Sequence, residues 1–312
     1  MQQTTIKKPI QCSGVGLHSG KMVTLTLRPA EENSGINFYI VTPEGSQRIS
    51  PQPDQVIATG LATTIGNTKG SVSTVEHLLA AIRGLGIDNL RIDVHGGELP
   101  IMDGSAAPFV MLFKNAGIKE LQAPRKVLRI KKPISFQNGD KSISAEPYDG
   151  FLVEYTIDFS HPLIGVQSMT LEVTPETFAE VSKARTFGFL HEVDALRSRG
   201  LALGGSLDNS VVLDEHGVVN AEGLRYSDEF VRHKILDFIG DMAMIDLPLQ
   251  GKFKVSCSGH ALNNQFLRAL NENRSIYLDE VALGETALEA AREIESAARP
   301  EAAIAKGQAV AI

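Results

Sequence analysis

The chain has 312 residues, of which 43% are hydrophobic and 21% charged, and its formal net charge is −7. This composition is typical of an ordinary globular protein and excludes a disordered or fibrous chain. Because the balance is acidic and the basic residues are spread along the chain, we expect no nucleic-acid partner and no anionic membrane surface as partner. An anionic substrate would need locally placed lysine or arginine side chains.

Cysteine usage and the first residues point to a cellular compartment. The two cysteines, Cys12 and Cys257, are too few for a disulfide framework or a cysteine-rich zinc site. The first eight residues contain no apolar run of the kind found in signal peptides, and no stretch is long and apolar enough to span a membrane. We therefore predict a cytoplasmic protein without integral membrane association.

The length favours about two domains. We predict an N-terminal α/β domain at 1–124, a C-terminal α/β domain at 125–283 and an Ala- and Glu-rich tail at 284–312. The tail ends in four small apolar residues, and a flexible apolar terminus is a natural handle for a processive protease. A cytoplasmic or membrane-bound protease acting on this tail is therefore an expected partner.

Alternating apolar and polar residues predict four strands in the first half of the chain. The glycine-rich segment 14–20 is predicted to be a turn, with His18 as a loop or packing histidine. Helices are predicted after Ser73 and from a turn at Asp103 to about Asn115. The predicted strands are 4–12, 21–28, 36–41 and 88–94.

The start of the first helix admits two interpretations. Ser73 and Glu76 have the spacing of a capping box, in which Glu76 has a purely structural role. Alternatively, the adjacent Glu76 and His77 could place a general base beside a metal ligand, as metalloproteases do. The residues alone favour neither interpretation.

The second half repeats the first in outline, with strands, a helix, more strands and a helix. A helix is predicted from Pro175, since proline is favoured at a first helical position. Further helices are predicted at 191–198, at about 228–245 and after Asn264. The predicted strands are 126–131, 141–146, 151–159, 169–173 and 251–257.

The helix at about 228–245 carries the clearest chemical pattern. Its apolar residues form one stripe, and His233, Asp237 and Asp241 recur at intervals of four on another side. Residues four apart on a helix have Cβ atoms roughly 5–6 Å apart, so His233 and Asp237 could bind one ion. Nitrogen and carboxylate ligands together favour zinc. The spacing alone favours a solvated polar face instead.

Five segments in the same order resemble the UDP-3-O-acyl-N-acetylglucosamine deacetylases, the zinc amidases that commit Gram-negative bacteria to lipid A synthesis. The resemblance covers about residues 3–280. The residues that carry it are Ser-Thr-Val-Glu-His at 73–77, Asp-Gly-Ser-Ala-Ala-Pro-Phe at 103–109, Ala-Arg-Thr-Phe-Gly-Phe at 184–189, Arg-His-Lys-Ile-Leu-Asp-Phe-Ile-Gly-Asp at 232–241 and Ser-Gly-His at 258–260.

The resemblance implies an α+β fold. It consists of two similar α/β domains, each with a small, mainly antiparallel sheet packed on two helices. The helices face inward as a β-α-α-β sandwich, with the active site between the domains.

The resemblance also implies a zinc site and its catalytic groups. His77, His233 and Asp237 would be the zinc ligands, which leaves a fourth position open, as in catalytic zinc sites. Glu76 would be the general base that takes a proton from the attacking water.

Three further catalytic roles follow from the resemblance. Thr186 would help to stabilise the oxyanion, and a protonated His260 would stabilise charge and donate a proton to the leaving amine. Asp241 would orient His260. On the residues alone, His260 is more simply a histidine at a helix start.

Substrate contacts are implied as well. The residues matched to the UDP portion are Lys234, Lys141 and Phe159, and Phe187 is a further expected substrate contact. Cys257 stands where the family often has a lysine, and Lys252 or Lys254 is the expected substitute. The resemblance places an acyl-binding passage between 190 and 206, where the residues alone favour ordinary core. The predicted passage residues are Val193, Leu196, Leu201, Ala202 and Gly205.

Two other functions remain open. A histidine together with a His-x-x-x-Asp pattern also suits a metal-dependent phosphohydrolase. A metal-stabilised binding module would have a closed four-ligand site and no need for Glu76.

Overall fold

The structure is a computed structural model, and it describes residues 1–284. Apart from Gly284, the predicted tail lies outside the described residues. The predicted protease contact on that tail therefore stays a prediction. Within residues 1–284, no helix combines the length and apolar character needed to cross a bilayer.

The first half of the chain builds a five-stranded sheet. Only Ile36–Thr42 and Leu90–His95 run parallel, and the other neighbours are antiparallel. Alternation along Met22–Pro29 directs Val23, Leu25 and Leu27 into the core. The spatial order is Ile10–Val15, Met22–Pro29, Leu90–His95, Ile36–Thr42 and Gly45–Ile49.

The single strand predicted at 4–12 was wrong, because two strands occupy this segment. Gln2–Ile6 pairs with Ile118–Pro124, and Ile10–Val15 belongs to the five-stranded sheet. Pro9, which has no N–H to donate, separates them. The strand Ile118–Pro124 ends at the predicted domain boundary and returns the chain to its first residues.

The sequence analysis missed a three-stranded sheet in the first half. Its strands have three or four residues each, too short for a periodic pattern. They are Val56–Ala58, Thr64–Asn67 and Gly70–Val72.

The second half builds a seven-stranded sheet around Leu249–Ser256. That strand runs antiparallel to Lys141–Glu146 and parallel to both Phe151–Phe159 and Lys126–Ile130. The remaining strands are Ile134–Asn138, Gly165–Glu172 and Leu278–Ala282. A separate parallel pair, Phe187–Phe189 with Val211–Leu213, lies beside it.

Seven α-helices and two short 3-10 turns complete residues 1–284. The helices are α1 (Glu76–Gly84), α2 (Ala107–Ala116), α3 (Ala179–Ser182), α4 (Val193–Ser198), α5 (Glu229–Met242), α6 (His260–Glu272) and α7 (Arg274–Tyr277). The 3-10 turns are Pro53–Gln55 and Leu190–Glu192.

The predicted helix start at Pro175 was wrong, because α3 begins at Ala179 and has only four residues. Thr174 and Thr177 exchange hydrogen bonds in which each backbone N–H donates to the other residue's hydroxyl oxygen. Such local bonds offer the backbone an alternative to the helix. The prediction for α5 extended three residues too far, since the helix ends at Met242.

Helices α1 and α5 pack against each other between the two large sheets. A Cβ atom on Gly240 of α5 would overlap the backbone carbonyl of Glu76, so this close approach requires glycine. Eight of the nine residues of α1 are buried. Helices from both halves therefore face inward, and the predicted fold of two α/β units in a β-α-α-β arrangement is confirmed.

Candidate active site

Three possible metal ligands meet where α1 and α5 pack. One donor atom from each of His77, His233 and Asp237 lies within 4.8 Å of the others. Asp237 Oδ1 is 3.5 Å from Nε2 of His77 and 3.3 Å from Nε2 of His233. All three residues are buried. The spacing on α5 allowed the pair His233 and Asp237 but on its own favoured a solvated polar face, whereas both residues are buried. The fold brings His77 to this pair from the other half of the chain.

The chemistry of this cluster fits a bound cation. Asp237 Oδ1 is buried and accepts no hydrogen bond from any residue in 1–284. Buried polar atoms normally have a hydrogen-bond partner. A buried carboxylate oxygen that has none and faces two imidazole nitrogens is the arrangement expected of a metal-ion site. A metal site formed by these residues is therefore supported on geometry and donor type.

Protonation states within the cluster suit ligation. Burial lowers the pKa of His233 to about 3, which keeps its imidazole neutral. Its Nδ1 lies 3.1 Å from the carbonyl oxygen of Ala184, to which an Nδ1–H would donate, leaving Nε2 free as a ligand. Burial opposes ionisation of Asp237, but the groups around it, including the Lys234 ammonium 2.6 Å from Oδ2, outweigh burial and hold the Asp237 pKa well below its usual value.

Glu76 lies beside the cluster with its carboxylate turned inward. Its Oε2 accepts a hydrogen bond from the backbone N–H of Thr63 at 3.1 Å, and Oε1 lies 4.0 Å from Nε2 of His260. Burial raises the pKa of Glu76, partly offset by the nearby histidines.

The capping-box interpretation of Glu76 was wrong. The residue at the N-cap of α1 is Val75, and no side chain caps this helix. Ser73 instead accepts a hydrogen bond from the hydroxyl of Thr64. The carboxylate of Glu76 is therefore available for chemistry.

His260, the first residue of α6, is paired with Asp241. Burial lowers the pKa of His260, but the Asp241 carboxylate 2.8 Å from Nδ1 and the more distant Glu76 outweigh it and raise the pKa to about 9. Asp241 also accepts hydrogen bonds from Thr63 and Asn263, both at 2.7 Å. His260 is therefore a cation near neutral pH.

Sequence reasoning missed Thr63 and Asn263. Thr63 bonds Glu76 through its backbone and Asp241 through its hydroxyl, so it links the two helices that carry them. No periodicity marks Thr63, because it lies in a loop. Asn263 lies three residues after His260 on α6, a spacing that would have allowed its recognition.

A cavity of about 270 Å³ opens onto the cluster. Thr186 lines the cavity. Its neighbour Arg185 has a side chain that is 2% exposed, and its guanidinium forms an ion pair with the buried Glu229 at the start of α5. The Thr186 N–H donates to the carbonyl of Gly104 at 2.8 Å. Arg185 and Glu229 thus fix the segment that carries Thr186 relative to α5.

Two of the three residues matched to the UDP portion, Lys234 and Phe159, line the same cavity, and so does the expected substrate contact Phe187. Phe159 and Phe187 pack edge to face with centroids 5.6 Å apart. Lys234 Nζ lies 5.6 Å from the centre of the Phe187 ring and 2.6 Å from Asp237 Oδ2. Lys141 does not line this cavity and is exposed at a strand end.

The proposed substitutes for a lysine at Cys257 lie away from the cavity. Lys252 and Lys254 alternate with the buried Phe253 and Val255, so they face the outer side of the sheet. Lys252 also forms ion pairs with two glutamates, at 3.0 and 3.5 Å. Whether either lysine replaces the family lysine stays a prediction.

A second, apolar cavity of about 390 Å³ shares Thr186 and Phe187 with the first. Four of the five predicted passage residues line it, namely Val193, Leu196, Ala202 and Gly205. Leu201 does not line it, and its N–H closes the end of α4 by donating to the carbonyl of Leu196. The prediction for Leu201 was wrong.

The first half of the chain supplies the opposite wall of this passage. Leu17, His18 and Leu61 line it. The N–H groups of Leu203 and Gly204 donate to the carbonyls of His18 and Leu17, at 3.2 and 3.0 Å. The sequence analysis expected the passage to be formed by the second half alone.

Two α/β layers around a buried His-His-Asp cluster, with a carboxylate and an imidazolium beside it, define a candidate metallohydrolase. The sequence model of one family, described as UDP-3-O-acyl N-acetylglycosamine deacetylase, matches residues 3–272. The chain belongs to this family of deacetylase enzymes.

Curated relatives agree over nearly the whole chain, and the following three are each named UDP-3-O-acyl-N-acetylglucosamine deacetylase. The protein from Oleidesulfovibrio alaskensis is 63% identical over 97% of this chain and 100% of its own length. The protein from Nitratidesulfovibrio vulgaris is 61% identical over 98% and 97%. The protein from Lawsonia intracellularis is 56% identical over 89% and 91%.

Proposed function

We propose that this chain hydrolyses the N-acetyl group of a UDP-3-O-(3-hydroxyacyl)-N-acetylglucosamine and releases acetate. The reaction would depend on zinc and would be the committed step of lipid A biosynthesis. The orphaned Oδ1 of Asp237 between two imidazoles, in a chain of this family, is the observation that carries the proposal.

Zinc is the proposed metal, held by His77, His233 and Asp237. Two imidazoles and one carboxylate suit zinc, and three protein ligands leave room for a fourth. Bound zinc would polarise the amide carbonyl and acidify water at neutral pH.

Glu76 is the proposed general base. Burial raises its pKa toward the range in which a carboxylate can accept a proton and release it again. Glu76 would take one proton from the water whose oxygen adds to the acetamide carbonyl carbon. Thr186, which lines the same cavity, would stabilise the resulting oxyanion.

His260 is the proposed general acid. Its raised pKa keeps it protonated at neutral pH, so it can donate a proton to the sugar nitrogen as the C–N bond breaks. Asp241 holds its Nδ1 side, which leaves Nε2 directed toward Glu76. The products are then acetate and the free amine.

The rest of the substrate is proposed to occupy the two joined cavities. Lys234, Phe159 and Phe187 would contact the UDP portion, with Lys141 as a more distant contact. The acyl chain would lie in the apolar passage, where each buried CH₂ contributes about 0.8 kcal/mol.

Deacetylation is favoured over phosphohydrolysis and over metal-stabilised binding. A closed four-ligand site would leave Glu76 without a role, whereas its carboxylate lines the open cavity. The family's name describes deacetylases. A cytoplasmic location, without nucleic-acid or integral membrane partners, is part of the proposal.

A single assay tests the function. The purified chain is incubated with UDP-3-O-acyl-N-acetylglucosamine, and acetate and phosphate are measured in parallel. We expect acetate release that a chelator abolishes and added zinc restores. Release of phosphate, or acetate release indifferent to chelation, would contradict the proposal.

A further inference from the structure

Glu98 is a buried residue that has no part in the proposed reaction steps. It follows the strand Leu90–His95 and lines neither the active-site cavity nor the apolar passage. Within residues 1–284, three groups donate hydrogen bonds to its carboxylate, and all three are neutral. Buried carboxylates are usually paired with a cation, so the neutral donors are the reason to ask what Glu98 does.

Two of these donors belong to the loop 16–20, which forms one wall of the apolar passage. The backbone N–H of His18 donates to Glu98 Oε1 at 2.8 Å, and that of Ser19 donates to Oε2 at 2.9 Å. A Cβ atom on Gly16 would overlap Oε2, so the close approach of the loop to this carboxylate requires glycine. Leu17 lines both the passage and the active-site cavity. The carboxylate therefore fixes the loop where the two cavities meet.

The third donor ties Glu98 to the turn that leads into α1. The hydroxyl of Thr74, which lines the active-site cavity, donates to Oε1 at 3.2 Å. Ser73 pairs with the segment around Glu98, since its N–H donates to the Gly97 carbonyl and its carbonyl accepts from the Leu99 N–H. Thr74 has a φ of 58°, which is costly for a β-branched residue and persists only where its surroundings impose it. Glu98 thus sits on a base that is fixed relative to α1.

We propose that Glu98 is a positioning residue that sets selectivity for the acyl chain, an inference that rests on the proposed function. It does so by holding the loop 16–20 in place as the passage wall. A carboxylate is needed because the two backbone N–H groups meet two different oxygens, whereas glutamine has one oxygen acceptor. In Glu98→Gln, the NH₂ group would face one of these N–H groups, and the loop would lose its place.

Binding of the amine products with and without an acyl chain tests the proposal. The affinity ratio is the Kd of UDP-glucosamine divided by the Kd of UDP-3-O-acyl-glucosamine, measured by calorimetry on the zinc-loaded chain. Facing two donors disfavours the ordered loop by roughly tenfold, so the ratio should fall by about that factor in Glu98→Gln. An unchanged ratio in folded Glu98→Gln, or equal binding of both compounds by the unsubstituted chain, would overturn the proposal. Because binding needs no turnover, failure of acetate release contradicts the proposed function separately.

Asp93→Asn is the matched control. Asp93 is also a buried carboxylate, lies on the strand before Glu98 and pairs with Arg28 and Arg91, outside both cavities. The same change from carboxylate to amide should lower the melting temperature there and leave the affinity ratio as it is. An equal fall of the ratio in both variants would show that it follows stability, which would overturn the proposal.

Gly16→Ala tests the same contact from the loop side and decides the question if Glu98→Gln does not fold. Its added Cβ atom would push against the Glu98 carboxylate, so this variant should also lower the affinity ratio. In a Glu98→Ala background the carboxylate is gone, and Gly16→Ala should change the ratio little further. An unchanged ratio in Gly16→Ala, or full additivity of the two changes, would overturn the proposal.

Discussion

The Nδ1 atom of His260 lies 2.8 Å from the Oδ2 atom of Asp241, which joins the first residue of α6 to the last turn of α5. Thr63 and Asn263 hold the same carboxylate, so its position is fixed from three directions. The imidazolium of His260 is therefore oriented before any substrate arrives, as a general acid requires.

Asp241→Asn should move the alkaline limb of the pH–rate profile. Activity requires protonated His260 and is lost as pH rises through its pKa, about 9 in the structure. Removing an opposite charge at this distance lowers a histidine pKa by about 1–3 units. The limb in kcat/KM should therefore move to lower pH by that amount, measured between pH 5 and 10. If the alkaline limb stays at the same pH, His260 is not the group whose ionisation causes it.

Removing any one proposed ligand should weaken zinc binding. His77→Ala, His233→Ala and Asp237→Ala each leave two ligands. The affinity for zinc should fall by more than the roughly 10–100-fold that is typical when a residue hydrogen-bonded to a metal ligand is removed. Zinc per protein is measured by elemental analysis after dialysis against a graded chelator. Asn263→Ala, which touches Asp241 and no ligand, is the matched control. Full zinc retention in all three variants would contradict the assignment.

Glu76→Gln should keep zinc and lose most activity. The amide preserves size and can still accept the hydrogen bond from Thr63, but it cannot take a proton. General-base help is worth roughly 10²–10⁴-fold, so kcat should fall by that factor with normal metal content and melting temperature. A rate close to that of the unsubstituted chain would show that Glu76 is not the general base.

The sequence predicted the long periodic elements well and the short ones poorly. The apolar stripe of α5 was readable because apolar residues recur at helical spacing along its fourteen residues. Gly45–Ile49 was missed because only one of its five residues is buried, and its pairing with Ile36–Thr42 supplies the rest. The strand therefore forms because of its pairing with a neighbouring strand, which the local sequence pattern does not show.

The candidate site shows the same division. Spacing on one helix placed His233 beside Asp237. No spacing rule joins His77 to residues about 160 positions away, so only the family resemblance predicted His77 as the third ligand. In the structure, the packing of α1 on α5 brings the three residues together. Thr63 stayed hidden because a loop hydroxyl carries no periodic signal. Leu17 stayed hidden because the passage was assigned to the second half of the chain.

Filling the apolar passage should discriminate between substrates with and without an acyl chain. Leu196 lines the passage, whereas Ala195, its neighbour on α4, is exposed and lies outside it. Leu196→Trp should raise KM for the acylated substrate, since a contact remote from the amide contributes uniform binding. Ala202 is a poorer choice, because its φ of 53° would strain a bulky replacement.

The effect should be specific to the acyl chain. Displacing three or four buried CH₂ groups would cost about 3 kcal/mol, or roughly 100-fold in KM. A UDP-N-acetylglucosamine without the acyl chain should be hydrolysed equally by Leu196→Trp, Ala195→Trp and the unsubstituted chain. Melting curves check that the variants are folded, because overpacking also destabilises. If folded Leu196→Trp handles the acylated substrate as Ala195→Trp does, the chain binds elsewhere.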